Sequence, residues 1–82
     1  VTFVCKAEPG SEVYLAGDFN DWNPEKRRLF DKEGDGRFTT TMLLPAGTYE
    51  YKFIINGQWS IDPECDEWVP NKMGSLNSIV RI

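Results

Sequence analysis

The chain reads as an all-β sandwich, and three observations carry that reading. Apolar residues recur at alternate positions, Gly, Pro, Asn and Asp interrupt them roughly every 8–12 residues, and no stretch has convincing helical periodicity. Its 82 residues make one domain, 1–82, around one core, which leaves no room for a cofactor fold beside a substrate domain. With 40% hydrophobic, 27% charged and 13% aromatic residues, the composition is that of a globular domain that folds without disorder.

The elements follow in order. Residues 1–7 alternate with Phe3 and Cys5 on one face, Glu8-Pro9-Gly10-Ser11 turns the chain, and 13–17 runs back with Val13 and Leu15 inward, as a first hairpin. A polar loop over 18–27, interrupted by Phe19 and Trp22, leads into a short strand at 28–30. The glycines of Asp31-Lys32-Glu33-Gly34-Asp35-Gly36 then mark a tight connection. Residues 38–44 set Phe38, Thr40, Met42 and Leu44 on one side, and Pro45-Ala46-Gly47 turns into 48–55, the clearest strand. There Tyr49, Tyr51, Phe53 and Ile55 face the core, and the same period sends Lys52 to the opposite, exposed face. Asn56-Gly57 is the preferred two-residue hairpin turn; it lays 58–60 beside that strand, with Trp59 on the Lys52 side. A polar loop runs from 62 to 72, and 77–82 closes the sheet with Val80 and Ile82 in the core.

Charge and composition exclude several function classes. Lys and Arg number 9 against 13 Asp and Glu, for a net charge of -4, so the positive field that gathers nucleic acid is missing. The absence of histidine removes a Ser-His-Asp triad and the commonest metal ligand. Two cysteines, Cys5 and Cys65, are too few for a disulfide scaffold or a four-thiolate zinc site; separate thiols and a single disulfide both stay open. No apolar run approaches the ~18 residues of a membrane span, and the N-terminus lacks a basic stretch followed by an apolar one. A start at Val1 rather than methionine points to a domain cut from a larger protein or to a processed form. No cofactor and no metal are expected.

Catalysis finds little support. Asp31-x-Glu33-x-Asp35-Gly36 begins like a calcium loop, yet the position that needs a bidentate glutamate holds Met42 and no helices flank the segment. Glycoside hydrolysis needs two carboxylates facing each other across a cleft, whereas the acids here sit on loops of a small sandwich. The only basic cluster, Lys26-Arg27-Arg28, is flanked by Asp21, Glu25 and Asp31 and reads as a solvated loop. The tryptophans are more informative, because Trp22 and Trp68 stand in polar loops. An indole offers a flat face for the C–H face of a pyranose, and it equally serves as a lid on the end of a sandwich; both readings stand.

At Val13-Tyr14-Leu15-Ala16-Gly17-Asp18-Phe19-Asn20-Asp21-Trp22 the chain resembles a known family, and the likeness continues through Leu44-Pro45-Ala46-Gly47-Thr48-Tyr49-Glu50-Tyr51-Lys52-Phe53, Asn56-Gly57-Gln58-Trp59 and Gly74-Ser75-Leu76-Asn77-Ser78. These motifs are similar to the glycogen-binding carbohydrate-binding modules of the AMP-activated protein kinase β subunit and of the N-terminal domains of isoamylases and glycogen branching enzymes. The likeness implies an immunoglobulin-like β-sandwich that binds α-1,4-linked glucan (glycogen, starch or maltooligosaccharide) without cutting it. By motif position it implies that Trp22 and Trp59 stack on glucose units and that Lys52 hydrogen-bonds hydroxyls. Met73 stands where the family has a wedging leucine, Ser75 where it has a threonine, and Asn77 completes the rim. Methionine is longer and more flexible than leucine, which raises the ordering cost, while serine keeps the hydroxyl. The segment between Trp59 and Met73 is slightly longer than in the kinase type and holds Trp68, either a third platform or a cap on the core.

The expectation is therefore a non-enzymatic, cytoplasmic glucan-binding module that serves a catalytic or regulatory domain of a larger protein. Its rival is a sandwich of the same fold that binds no sugar and only packs against a protein neighbour. A purely structural sandwich has no need to display both tryptophans and Lys52 together.

Overall fold

The alternating residues condense into eight strands in the computed structural model, which describes residues 1–82. They are β1 (Thr2–Lys6), β2 (Val13–Gly17), β3 (Arg28–Leu29), β4 (Arg37–Thr41), β5 (Thr48–Ile55), β6 (Gln58–Ser60), β7 (Trp68–Pro70) and β8 (Leu76–Arg81). The only helical piece is a 3₁₀ turn at Asp18–Asn20. Strands β1 and β4 form a two-stranded antiparallel sheet, and the others form a six-stranded one in the order β3-β2-β5-β8-β7, with β6 also joined to β5. Phe3, Cys5 and Phe38 from the small sheet meet Val13, Leu15, Leu29, Tyr51 and Phe53 from the large one, so the fold is an all-β sandwich.

Aromatic rings run through the contact between the layers. Phe3 lies 5.7 Å from Phe19 and 5.0 Å from Tyr51, and Tyr51 lies 5.7 Å from Phe53, in the tilted and edge-on arrangements that ring quadrupoles favour. One edge of the sandwich is nearly closed, because Phe30 exchanges two 3.0 Å backbone bonds with Thr39 and so ties the β3 side of one sheet to β4 of the other.

Strand β5 organises the rest. Along one edge it pairs with β2, from Ile55↔Val13 to Tyr51↔Gly17. Along the other it changes partner: β8 covers Thr48 to Tyr51, and β6 covers Phe53 to Ile55. The β5–β6 turn is Asn56-Gly57, with φ of 50° and 82°, the left-handed pair that a type I′ hairpin requires and that Asn and Gly supply most easily. On the core side the partner change is fastened by Tyr51, whose hydroxyl donates to Asp62 Oδ2 (2.8 Å), and by Ser78, whose hydroxyl accepts from the Asp62 N–H (3.0 Å). Burial, reinforced by the Asp62 carboxylate, holds the Tyr51 phenol far above its ordinary range.

Four sequence expectations are corrected. Strands β1 and β2 do not form a hairpin; β1 pairs with β4 and β2 with β3 and β5. A strand with one buried face satisfies its period equally well beside its successor or across the core from it. Here the Ala7 N–H extends the β1–β4 ladder by donating to Gly36 (3.0 Å), which carries the chain over to the other layer at 8–12. The segment 62–72 is not all loop, since Trp68–Pro70 pairs with β8, a strand too short to reveal alternation. Ile82 is not core: it lies 44% exposed, beyond the reach of the small sheet, while Ser78 is buried at 1%. The loop 18–27 opens with the 3₁₀ turn rather than leaving β2 without structure.

The hairpin tip at 31–36 is organised by Asp31, whose carboxylate accepts the N–H of Asp35 (3.1 Å) and Gly36 (2.7 Å). Its oxygens close the turn. Both cysteines are free thiols.

Gly17 ends β2 where nothing larger fits. A Cβ there would stand 2.6 Å from the Glu50 carbonyl and 2.8 Å from the Phe19 ring. Gly17→Ala is expected to cost about 2–3 kcal/mol, a fall in Tm of roughly 10–20 °C for a domain this size; an unchanged thermal melt would mean that the β2–β5 contact is looser than drawn. Burial, reinforced by Asp62 and Glu64, pushes the Cys5 thiol up to about 11. In a Cys65→Ser variant, Cys5 is expected to resist thiol reagents at about pH 8 until the protein unfolds. Because the folded thiol keeps a proton that the unfolded chain releases from about 9.0 upward, stability falls as pH rises from there to about 11, which denaturant midpoints at stepped pH will read.

Candidate functional site

The outer face of the large sheet carries the side chains that β5 sends away from the core. Lys52 and Ile54 lie on it, with Ala16 and Tyr14 opposite them on β2 and Trp59 opposite Ile54 on β6. Lys52 falls where the β5 edge passes from β8 to β6, so neither strand pairs with it there. It faces outward as its period requires, but it is not exposed: 8% of it is accessible, because the 71–75 segment closes over it. Its ammonium donates to Ser75 Oγ at 2.8 Å. An ammonium has three donors, so two remain for other acceptors, and Ser75, having accepted, keeps its own O–H to donate.

Trp22 is positioned by a cross-tied loop. Asp21 and Trp22 both adopt left-handed backbone angles, φ 57° and 58°, which costs an L-residue about 1–3 kcal/mol. Five bonds hold this loop. The Trp22 N–H donates to the Gly17 carbonyl (3.0 Å), the indole Nε1–H to Asp18 Oδ1 (3.0 Å), and Asp18 Oδ2 accepts the Glu50 N–H of β5 (2.9 Å). Asn20, buried at 8%, accepts from the Gly17 N–H and donates to the Leu15 carbonyl, both at 3.0 Å. The indole hydrogen thus goes to a carboxylate, not to the backbone that a core lid would use.

The 71–75 segment is shaped by Asn71. Its Oδ1 accepts from the N–H of Met73 (2.9 Å) and Ser75 (3.1 Å), and its Nδ2 donates to Asn77 Oδ1 (3.0 Å). Asn77 in turn donates to Glu50 Oε1 at 3.0 Å and is buried at 7%. Gly74 takes φ 77°, and Met73 is left at the tip with 91% of its surface accessible.

Trp22, Lys52, Trp59, Asn71, Met73, Ser75 and Asn77 line one open concavity of about 620 Å³. The structure therefore brings together all six residues that the sequence nominated and adds Asn71. The lining contains no carboxylate, thiol or imidazole, so it offers no acid–base pair. It offers two indoles, a methionine, an ammonium, a hydroxyl and two amides: flat apolar faces interleaved with neutral and cationic donors. Asp18 and Asn71 escaped the sequence reading; the signals were an acid four residues before Trp22, and an Asn ahead of Gly74-Ser75 with the form of an Asx turn.

Trp68 is not part of this surface. It pairs with Ser78, whose side chain lies in the core, so it stands on the opposite face of the sheet and is 57% exposed where the small sheet does not reach. It is neither a third platform in the concavity nor a closed cap. The basic cluster is also dispersed: the Arg28 guanidinium lies 5.8 Å from the centre of the Tyr14 ring and 5.7 Å from that of Phe30.

Comparison with known proteins agrees over the full length. The family model described as the glycogen recognition site of AMP-activated protein kinase matches residues 1–82. The 5'-AMP-activated protein kinase subunit beta-1 of Sus scrofa is 36% identical over 73 residues, covering 89% of this chain and 56% of that one. The Homo sapiens subunit beta-1 is 36% identical over 73 residues, 25% of its length, and the Mus musculus subunit beta-2 is 33% identical over 81 residues, 28% of its length. The chain thus spans between a quarter and just over half of these curated relatives. With its sandwich, its motifs in order and a match from the first residue to the last, the chain belongs to the family of glycogen recognition sites of AMP-activated protein kinase.

Proposed function

We propose that this domain binds α-1,4-linked glucan, without cutting it, in the concavity bounded by Trp22 and Trp59. The observation that carries the reading is the convergence of both indoles, Lys52, Met73, Ser75 and Asn77 on one open surface free of carboxylates. Trp22 and Trp59 stack on the C–H faces of glucose units, Lys52 and Ser75 bond their hydroxyls, and Met73 fills the concave side of the curved chain. Asn77 acts mainly through Asn71 and Glu50, which hold the 71–75 segment in place. In this reading the domain serves a larger cytoplasmic protein; that this protein is a subunit of a kinase is supported by the relatives being named as AMP-activated protein kinase subunits. Each stacked indole supplies on the order of 1–2 kcal/mol and each neutral hydrogen bond ~1 kcal/mol. After ordering losses the domain binds short maltooligosaccharides between ~10 µM and mM, and polymer more tightly through avidity.

Titration with maltoheptaose followed by tryptophan fluorescence tests this. Saturable quenching is expected, with cellohexaose silent; Trp22→Ala and Trp59→Ala each weaken binding roughly 5- to 30-fold, and Trp68→Ala leaves it unchanged. A flat response from the folded wild type would overturn the glucan reading and turn attention to a protein partner for the Trp22 surface. A second expectation concerns Asp18, which positions Trp22 without lining the concavity. In a background of Trp59→Phe and Trp68→Phe, Asp18→Ala is expected to raise acrylamide quenching of Trp22 and to cost about 1–2 kcal/mol of stability from the orphaned Glu50 N–H. Unaltered quenching would mean that the strained backbone alone holds the indole.

A further inference from the structure

We infer that the glucan site does not end at Trp59 but continues over it into a second subsite built on Tyr14; this rests on the glucan reading of the concavity. Trp59 is the shared wall of two depressions on the same sheet face. On one side lies the concavity of about 620 Å³, and on the other a depression of about 480 Å³ to which Tyr14, Ile54, Pro24, Glu12 and Glu25 contribute. Both fall within the ~300–1,000 Å³ typical of small-ligand sites.

The register explains why the second depression exists. Arg28, Tyr14, Ile54 and Trp59 stand side by side across β3, β2, β5 and β6, one cross-strand row beyond the row of Ala16 and Lys52. Ile54, only 5% exposed, is the floor between two aromatic rings. Arg28 packs against Tyr14 from the β3 side, with its guanidinium 5.8 Å from the ring centre, and braces that ring. An apolar floor between two rings suits the faces of a pyranose as the first concavity does.

The rim identifies the occupant. Glu12 and Glu25 are exposed, and neither side chain takes part in an ion pair. Carboxylates accept hydrogen bonds and repel anions, so the depression suits a neutral polyhydroxylated chain and disfavours a phosphorylated one. A glucan already stacked on Trp59 presents such a chain at its edge, and no second ligand is needed to fill the space. The subsite therefore reads glucan length: a short oligosaccharide occupies the first concavity alone, and a longer one gains Tyr14.

Calorimetric titration with maltotriose and with maltoheptaose separates the possibilities. Tyr14→Val, which keeps a strand-forming residue but removes the ring, is expected to weaken maltoheptaose binding about 3- to 10-fold and to leave maltotriose binding unchanged. Tyr14→Phe retains the long-chain advantage. Glu12→Gln/Glu25→Gln relaxes discrimination against a phosphorylated maltoheptaose. Equal losses for both lengths would show that Tyr14 merely supports Trp59, and an unchanged maltoheptaose affinity would remove the subsite; either overturns the proposal. If wild type binds neither sugar, the failure lies with the glucan reading itself.

Discussion

The two-residue period of strand β5 is the constraint on which the molecule depends. Tyr49, Tyr51 and Phe53 turn toward the small sheet, and Glu50, Lys52 and Ile54 turn away from it, so core and site are opposite faces of one strand. Neither can slip without the other, because a shift of one residue would place Lys52 among Phe3, Leu15 and Phe38. Burying that ammonium without a partner costs far more than the site could return. The core thereby sets the register of the binding surface, and the change of partner from β8 to β6 opens a place for Lys52 beside it.

Both loops that complete the concavity are cross-tied in the same way. Each hangs on short polar side chains, Asp18 and Asn20 in one and Asn71 and Asn77 in the other, whose hydrogen bonds return to β2 or β5. Glu50 is their common anchor: its N–H is held by Asp18 and its carboxylate by Asn77. Trp22 and the Lys52–Ser75 pair are thus tied to one residue from opposite sides. A flexible oligosaccharide loses rotational freedom on binding, and a surface that is already ordered adds no second loss. The left-handed backbone at Asp21 and Trp22 is strain that these hydrogen bonds hold.

Much of this was legible in the sequence, in proportion to how local the cause was. The Asn56-Gly57 hairpin and the faces of β5 follow from dipeptide chemistry and alternation, and with them the positions of Lys52 and Trp59. Trp22 was legible as a tryptophan in a polar loop, though its strained angles were not. What escaped depends on contacts distant in sequence. Whether β1 lies beside β2 or across from it is decided by its pairing with residues 37–41, and nothing in either strand distinguishes the two. Ile82 and Trp68 are apolar residues in strand-like surroundings, and their exposure follows from a cover sheet only two strands wide. Asn71 looks like any loop asparagine until its two amide atoms are seen to bridge the tip of the segment to Asn77.

So small a domain keeps an open face because no further layer covers the outer side of the large sheet. A sandwich of equal layers would have the same freedom, but usually with flat faces. Here the side chains of Trp59 and Tyr14, set on either side of Ile54, and the two loops beside Lys52 give the sheet face its concavities. A surface walled by rings and floored by Ile54 and Lys52 suits a ribbon of sugar lying along it, as proposed above. It does not enclose one ring deeply enough to desolvate an acid, which fits recognition better than catalysis.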